Sequence, residues 1–521
     1  MNLGRILIVD DNTSYLRALS DACSAAGYEV HLAADGFQAL EAAREAPPDA
    51  ILLDIMMPRL DGYATCREFR LDPMTAEVPI LMLSALGEPE DIKKGFYHGA
   101  DDFKVKPPDG EFLKTGDINE LLARLWQAIV RYRLRPQSRV ILELEWGPGA
   151  IRYSVQGAMT SGGSLVVSAD GNRWGREMAA LADAVYEYHE GWLRARRRKD
   201  SEEERRYLER REAWRLQSAD KGRDLFRDVF ENNATLLEDW GRAQQSAGAS
   251  EERLVIRFSG AADALIFPFE LLHVGTRPLA IRHPITRQIV TTRANRPSWR
   301  NLIQGRKGRS LRALLMAGEE FAVKEVQTVA ADLRRALALV GIGLEVEPEN
   351  LSHSVTLEEG EALLQKRTFD LVHYAGHARF DRGRPENSAL AFGGDGAEEL
   401  RASRLAGLLA GSPTQLLFLS CCSGAEIRLI NEAAGSSYLG LIDAAVQAGV
   451  PAVFGYRWPV VGRSARHFAH HFYEGLGRFP ASLEYAAWWA RKQIFETSAA
   501  GGWDETWFSP MLVVQNPDSS G

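Results

Sequence analysis

Two short segments in the C-terminal half carry the groups best suited to covalent chemistry. Asp370-Leu371-Val372-His373-Tyr374-Ala375-Gly376-His377-Ala378 delivers a histidine, and Leu416-Leu417-Phe418-Leu419-Ser420-Cys421-Cys422-Ser423-Gly424-Ala425 delivers a pair of cysteines. Each is an apolar run too short for a helix that closes on a small-residue turn, which predicts a buried strand ending at a sheet edge. A thiol beside a neutral imidazole can lose its proton to that ring and attack a carbonyl carbon. The protonated ring, His377, then donates to the leaving amine. A developing oxyanion needs N–H donors, and a nucleophile at a strand-to-turn junction supplies its own amide.

A second set stands near the N-terminus. Asp10 and Asp11, Asp54, Ser84 and Lys106 all follow or end strand-like runs. Three carboxylates converging at one sheet edge repel one another unless a hard divalent cation neutralises them, and Mg²⁺ with its preference for oxygen suits the site. Lys106 can then balance a phosphoryl group while the Ser84 hydroxyl donates to it.

These residues need two α/β frameworks. Strand-like runs at Arg5 to Val9, Tyr28 to Ala33, Ala50 to Leu53, Val78 to Leu83 and Asp102 to Val105 alternate with helical patterns such as Ser14 to Ala26 and Gly36 to Ala46. The alternation predicts a five-stranded, doubly wound parallel sheet whose function collects at the strand carboxyl ends. Ile118 to Arg133 closes this domain (1–133), and residues 134–138 read as a linker. Residues 139–309 read as a mixed α+β part. It holds paired strands at Arg139 to Trp146 and Ala150 to Val155, long charged helices from Trp174 to about Gln217, and a strand at Leu254 to Phe258. From 310 to 515 the alternation returns and predicts a second sheet with helices on both faces, Trp507 to Val514 forming an edge strand. Residues 516–521 are expected to be a disordered tail.

Composition bounds the rest. The 521 residues are 45% hydrophobic and 25% charged, ordinary for a globular protein of two to four domains. A net charge of -8 argues against nucleic acid or a membrane surface as partner. The basic cluster Arg194 to Lys199 runs straight into Glu202-Glu203-Glu204, the pattern of a solvated helix laced with ion pairs. No apolar run is long enough to span a bilayer and the N-terminus lacks a signal-peptide pattern, so the expected compartment is the cytoplasm. The cysteines Cys23, Cys66, Cys421 and Cys422 have neither disulfide-framework nor zinc spacing.

The N-terminal constellation resembles the receiver domain of two-component response regulators over the whole segment. The resemblance implies that Asp54 accepts phosphate, that Asp10, Asp11 and Asp54 bind Mg²⁺, and that Ser84 is the switch hydroxyl. It further implies that Phe103 is the switch aromatic and that Lys106, in its Lys106-Pro107 step, holds a phosphoryl oxygen. A sensor histidine kinase or phosphotransfer protein is the implied phosphodonor.

The C-terminal half resembles CHAT domains, a bacterial branch of the caspase-like cysteine peptidases. The resemblance rests on Phe269-Glu270-Leu271-Leu272, Gly376-His377, Leu419-Ser420-Cys421-Cys422, Gly449-Val450-Pro451-Ala452-Val453 and Arg457-Trp458-Pro459-Val460. It spans about 139 to 515 and implies a caspase-like α/β/α domain with 139–309 as its pseudo-caspase-like part and 310–515 as its catalytic part. It further implies that His377 and a cysteine form the catalytic dyad, with the oxyanion met by the amides of Cys422 and Ala378. The family pattern Leu-x-x-Cys selects Cys422, while counting back from Ser423-Gly424 selects Cys421 as the alternative nucleophile. Cys422 is preferred because register within a buried strand is more constrained than the turn after it. His373, inside the apolar run, reads as a structural histidine with its ring bonded to backbone. Glu270 reads as a structural carboxylate paired with backbone or arginine. Ser420 stands where arginine- or lysine-specific relatives carry an aspartate, so a basic preference lacks its usual support.

The expected function is a cysteine endopeptidase governed by aspartyl phosphorylation, with Mg²⁺ serving the receiver and no cofactor needed for proteolysis. Phosphorylation would act on the protease half directly or through a homodimer. The alternative is an inactive caspase-like scaffold whose partner binding is switched by the receiver.

Overall fold

The computed structural model describes residues 4–46, 48–72, 75, 78–84, 89–106, 115–133, 140–147, 150–156, 161–165, 202, 205–206, 219–224, 226–247, 254–260, 269–274, 277–289, 298–306, 308–379, 387–393, 398–421, 440–456, 462–499 and 510–515. The chain forms two compact units, one from Met1 to Gln137 and one comprising Ser138–Ala247 with Glu251–Gly521.

The first unit is the α/β domain that the alternation predicts. Its strands are β1 (Arg5–Val9), β2 (Glu29–Ala33), β3 (Ala50–Asp54), β4 (Ile80–Ser84) and β5 (Asp102–Val105). They pair in parallel in the order β2-β1-β3-β4-β5. The order reverses at β1, so β1 and β3 open a crevice at their carboxyl ends, where ligands of such sheets collect. The helices start where polar side chains cap them. Asn12 accepts from the Ser14 and Tyr15 amides, and Asp35 from those of Phe37 and Gln38. Apolar residues of alternating strand positions form one core on each face of the sheet.

The second unit is organised by one eleven-stranded sheet. Its strands are β6 (Val140–Gly147), β7 (Ala150–Gln156), β8 (Ser161–Leu165), β9 (Leu254–Gly260), β12 (Ile285–Ile289), β13 (Ser310–Ala317), β14 (Gly343–Glu347), β15 (Leu371–Gly376), β19 (Leu416–Cys421), β20 (Ala452–Tyr456) and β21 (Pro510–Val514). A small hairpin, β10 (His273–Val274) and β11 (Arg277–Pro278), and an antiparallel sheet of β16 (Ala378–Arg379), β17 (Ala389–Phe392) and β18 (Glu398–Arg401) stand apart. The large sheet runs β14-β13-β15-β19-β20-β21-β12-β9-β6-β7-β8. The first five strands are mutually parallel, and β21, β12, β9 and β6 form a second parallel block. The antiparallel pair β20–β21 joins the blocks.

That joint corrects one expectation. The last strand is an interior strand between β20 and β12, and every residue of it is buried. Its Pro510-Met511-Leu512-Val513-Val514 run is apolar at consecutive positions, as suits a strand covered on both faces rather than an edge. Residues from both 139–309 and 310–515 thus contribute to one sheet. The expected helices from Trp174 to Gln217 lie almost wholly outside the described residues, as do Cys422 and the Arg457-Trp458-Pro459-Val460 block.

Beside that joint, where β12 and β21 adjoin in the second block, lies a buried charge cluster. Glu270 makes a bidentate ion pair with Arg287 of β12, Nη2 to Oε2 being 2.5 Å, and stands 3.7 Å from Arg491 Nη2. Both arginines are fully buried and Glu270 is 1% exposed. Of the two partners expected for this carboxylate, backbone or arginine, arginine is present. Arg491 also donates to the Pro510 carbonyl at 2.8 Å. Burial pulls its guanidinium down to about 10, with Glu270 opposing that shift and Arg287 adding to it.

Candidate functional site

The strands β13, β15 and β19 lie side by side and parallel, so their carboxyl ends come to one edge. Gly376 pairs with Cys421 at that edge, and His377 is the first residue beyond β15. β15 and β19 are buried at every position, which fixes their register and with it the side each residue faces.

Alternation then separates neighbouring residues. Tyr374, Leu419 and Cys421 belong to one apolar core with Leu417, Ile442 and Val453. Cys421 is 7% exposed, and burial pushes its thiol far above the ordinary cysteine value, with the Glu325 charge adding to the shift. Such a thiol is inert at neutral pH.

The opposite face holds His373, fully buried and stacked 4.8 Å from the Phe418 ring. Its Nδ1 is 3.0 Å from the Tyr473 hydroxyl and its Nε2 3.4 Å from Glu325 Oε1. The expected backbone partner is thus replaced by a side chain. The backbone of β15 is engaged by β13 and β19 on either side, so the ring takes its hydrogen bond from Tyr473 on helix Gly462–Arg478, while Nε2 faces Glu325 of helix Val323–Ala338 without a hydrogen bond.

His377 is 39% exposed at its side chain and faces a carboxylate that sequence reasoning passed over. Glu319, two residues after β13, accepts from His377 Nδ1 at 2.6 Å and from the His377 amide at 2.8 Å, both through Oε2. The acceptor-only carboxylate assigns the proton to Nδ1 and leaves the Nε2 lone pair as the basic site. Phe321 packs against the ring at 4.8 Å. A signal was present in the sequence, for Gly318-Glu319-Glu320 ends a strand at the same edge as the histidine.

The turn carrying His377 is braced from within. The Tyr374 hydroxyl lies 2.9 Å from the His377 carbonyl and contacts the Ala391 carbonyl. A Cβ on Gly376 would stand 2.5 Å from that hydroxyl, as would one on Gly318, so both positions demand glycine. The Ala391 amide donates to the His377 carbonyl at 3.0 Å, tying the turn to β17 beside the Ala378–Leu390 pair.

In the first unit, Asp10 follows β1 and Asp54 ends β3, 1% and 3% exposed, with Asp11 exposed beside them. Carboxylate oxygens of the three lie within 4.8 Å of one another. Lys106, just past β5, places Nζ 2.6 Å from Asp10 Oδ2 and 2.5 Å from Asp54 Oδ1. It also lies 4.5 Å over the Tyr15 ring, a contact that sequence reasoning did not find. Burial raises the Asp54 carboxyl above the usual carboxylate range, Lys106 opposing the shift. Phe103 is buried in the core beside Met82, and Ser84 is the last residue of β4. The structure thus brings Asp10, Asp11, Asp54 and Lys106 together at the predicted edge.

Fold and sites define an α/β receiver unit joined to an α/β unit with a histidine–carboxylate pair at its sheet edge. The response regulator receiver domain family matches residues 6–115 and the CHAT domain family residues 220–500. The chain belongs to the CHAT-domain family, a caspase-like fold, and its first unit is a response regulator receiver domain. The DNA-binding dual master transcriptional regulator RpaA of Synechocystis sp. is 40% identical over 134 residues, covering 26% of this chain and 52% of that protein. The probable transcriptional regulator ycf27 of Guillardia theta is 48% identical over 103 residues, 20% of this chain and 39% of the relative. This chain therefore spans about half the length or less of these two curated relatives. Among solved structures, a response regulator from Chloroflexus aurantiacus J-10-fl is 36% identical, covering 25% of this chain and 98% of that one, with a TM-score of 0.22. No described helix is long and apolar enough to cross a membrane.

Proposed function

We propose that this chain is a cysteine endopeptidase switched by phosphorylation of Asp54, with Cys422 as nucleophile and His377 as its base. The observation that carries this reading is the Glu319–His377 pair, which holds an imidazole at a strand end with Nε2 ready to accept a proton. Cys421, aligned with Gly376, is committed to the core, which leaves Cys422 for chemistry.

His377 Nε2 takes the Cys422 thiol proton, and the thiolate attacks the scissile carbonyl carbon. The Ala378 and Cys422 amides receive the oxyanion. As the tetrahedral adduct collapses, His377 returns the proton to the leaving amine, and a water activated by the same ring hydrolyses the thioester. Glu319→Gln keeps the shape but removes the charge that orients the ring and stabilises its protonated form. Peptide kcat should fall by about 10- to 100-fold with KM little changed. An unchanged kcat would remove Glu319 from the mechanism.

In the receiver, Asp10, Asp11 and Asp54 offer the hard oxygen set that suits Mg²⁺, and they would hold it. When bound, that ion neutralises charge as a phosphoryl group arrives on Asp54. Lys106 is placed to leave its carboxylate partners for a phosphoryl oxygen, and the rearranged face around Ser84 and Phe103 is the signal passed on, from a histidine kinase or phosphotransfer protein as donor. The test is cleavage of a peptide library by the full chain with Mg²⁺, with and without beryllofluoride. A rate change of severalfold, in either direction, is expected. Equal non-zero rates defeat the coupling, and no cleavage in either condition favours the scaffold reading.

A further inference from the structure

Helix Gly462–Arg478 carries His467, His470, His471 and Glu474 within two turns, none of which the proposed protease or receiver chemistry uses. His467 and His471 stand one turn apart on one helical face, and their Nε2 atoms are 3.2 Å apart with ring centroids at 4.6 Å. Two imidazole nitrogens bound to one tetrahedral zinc at about 2.0–2.1 Å would stand roughly 3.3 Å apart. The helix has thus already set the spacing that a shared ion requires.

The orientation of His471 is also set. Glu474 Oε2 lies 2.9 Å from His471 Nδ1, and a carboxylate there holds the proton on Nδ1 and turns the Nε2 lone pair toward His467. A carboxylate behind a ligating imidazole is the usual support of a protein metal ligand. His471 is only 14% exposed at its side chain, whereas His467 is exposed and opens the site to solvent. The neighbouring His470 is directed elsewhere. Its Nδ1 lies 2.7 Å from Asp332 Oδ2 on helix Val323–Ala338.

We propose that His467 and His471 bind a borderline divalent cation of the zinc class through their Nε2 atoms, with Glu474 as a positioning residue and water completing the coordination. Two nitrogen donors favour zinc over magnesium, so this site and the all-oxygen cluster of the receiver select different ions. The proposal does not depend on proteolysis.

The experiment titrates ZnCl₂ into the full chain by calorimetry, and CoCl₂ with visible spectroscopy. A Cys422→Ala background keeps that thiol from taking metal, and excess Mg²⁺ occupies the receiver. One equivalent should bind, and His467→Ala or His471→Ala should abolish it. Glu474→Gln should weaken it by about 10- to 100-fold, and His470→Gln should leave it unchanged. His467, His470 and Glu474 are exposed or half-buried helix positions, and circular dichroism checks that each variant folds. No zinc binding in the parent, or binding that survives His467→Ala, overturns the proposal. Loss with His470→Gln but not with His467→Ala also overturns it, in favour of a His470, His471 and Glu474 cluster.

Discussion

Peptide cleavage should fall by about 10⁴-fold or more in a Cys422→Ala variant and stay within a few-fold of the parent in Cys421→Ala. The first expectation follows from the loss of covalent catalysis, where removing a nucleophile leaves only binding and the oxyanion donors. The second follows from packing. The Cys421 side chain lies among Leu417, Leu419, Ile442 and Val453, and its thiol is held protonated by burial. Its truncation removes one buried sulfur and costs roughly 1–2 kcal/mol of stability, while the chemistry remains. Iodoacetamide at pH 7.5 followed by peptide mass mapping checks the same point without a substrate, and the label should fall on Cys422. Retained cleavage in Cys422→Ala, or a label on Cys421, would reverse the assignment of the nucleophile.

Glu270→Ala should destabilise the second unit by about 3–5 kcal/mol, the range for removing one partner from a buried ion pair. Arg287 and Arg491 both touch Glu270 and are both buried, so the substitution removes a shared counter-charge from two guanidinium groups. Arg491 already sits at about 10 with the carboxylate in place, and its removal takes away a force that keeps it charged. Because Arg287 lies on β12 and Arg491 binds the Pro510 carbonyl at the start of β21, the damage falls on these adjoining strands, next to the joint between the two blocks. Urea unfolding monitored by tryptophan fluorescence measures it. A change below about 1 kcal/mol would mean that the cluster is less desolvated than its geometry indicates.

Much of this protein was legible before any contact was known. Five strand-like runs, four of them leading to Asp10, Asp54, Ser84 and Lys106, determine a receiver, because a parallel sheet places its carboxyl ends together and apolar residues fill strands covered on both faces. The same rule placed His377 and Cys421 at one edge, and the apolar surroundings of Glu270 implied a backbone or arginine partner. These are local properties of pattern and period.

What the tertiary structure decided are pairings between residues far apart in the chain. Glu319 orients His377 across 58 positions. Tyr473, rather than backbone, meets His373. The final strand lies inside the sheet between β20 and β12, although its sequence position suggested an edge. A side chain's partner depends on strand order and helix docking, which the chain specifies only through the sum of its burial, so no window of sequence contains it. The facing of Cys421 belongs to the same class. Adjacent cysteines are equivalent as letters, and the Gly376–Cys421 register, with the core it borders, assigns one of them to packing.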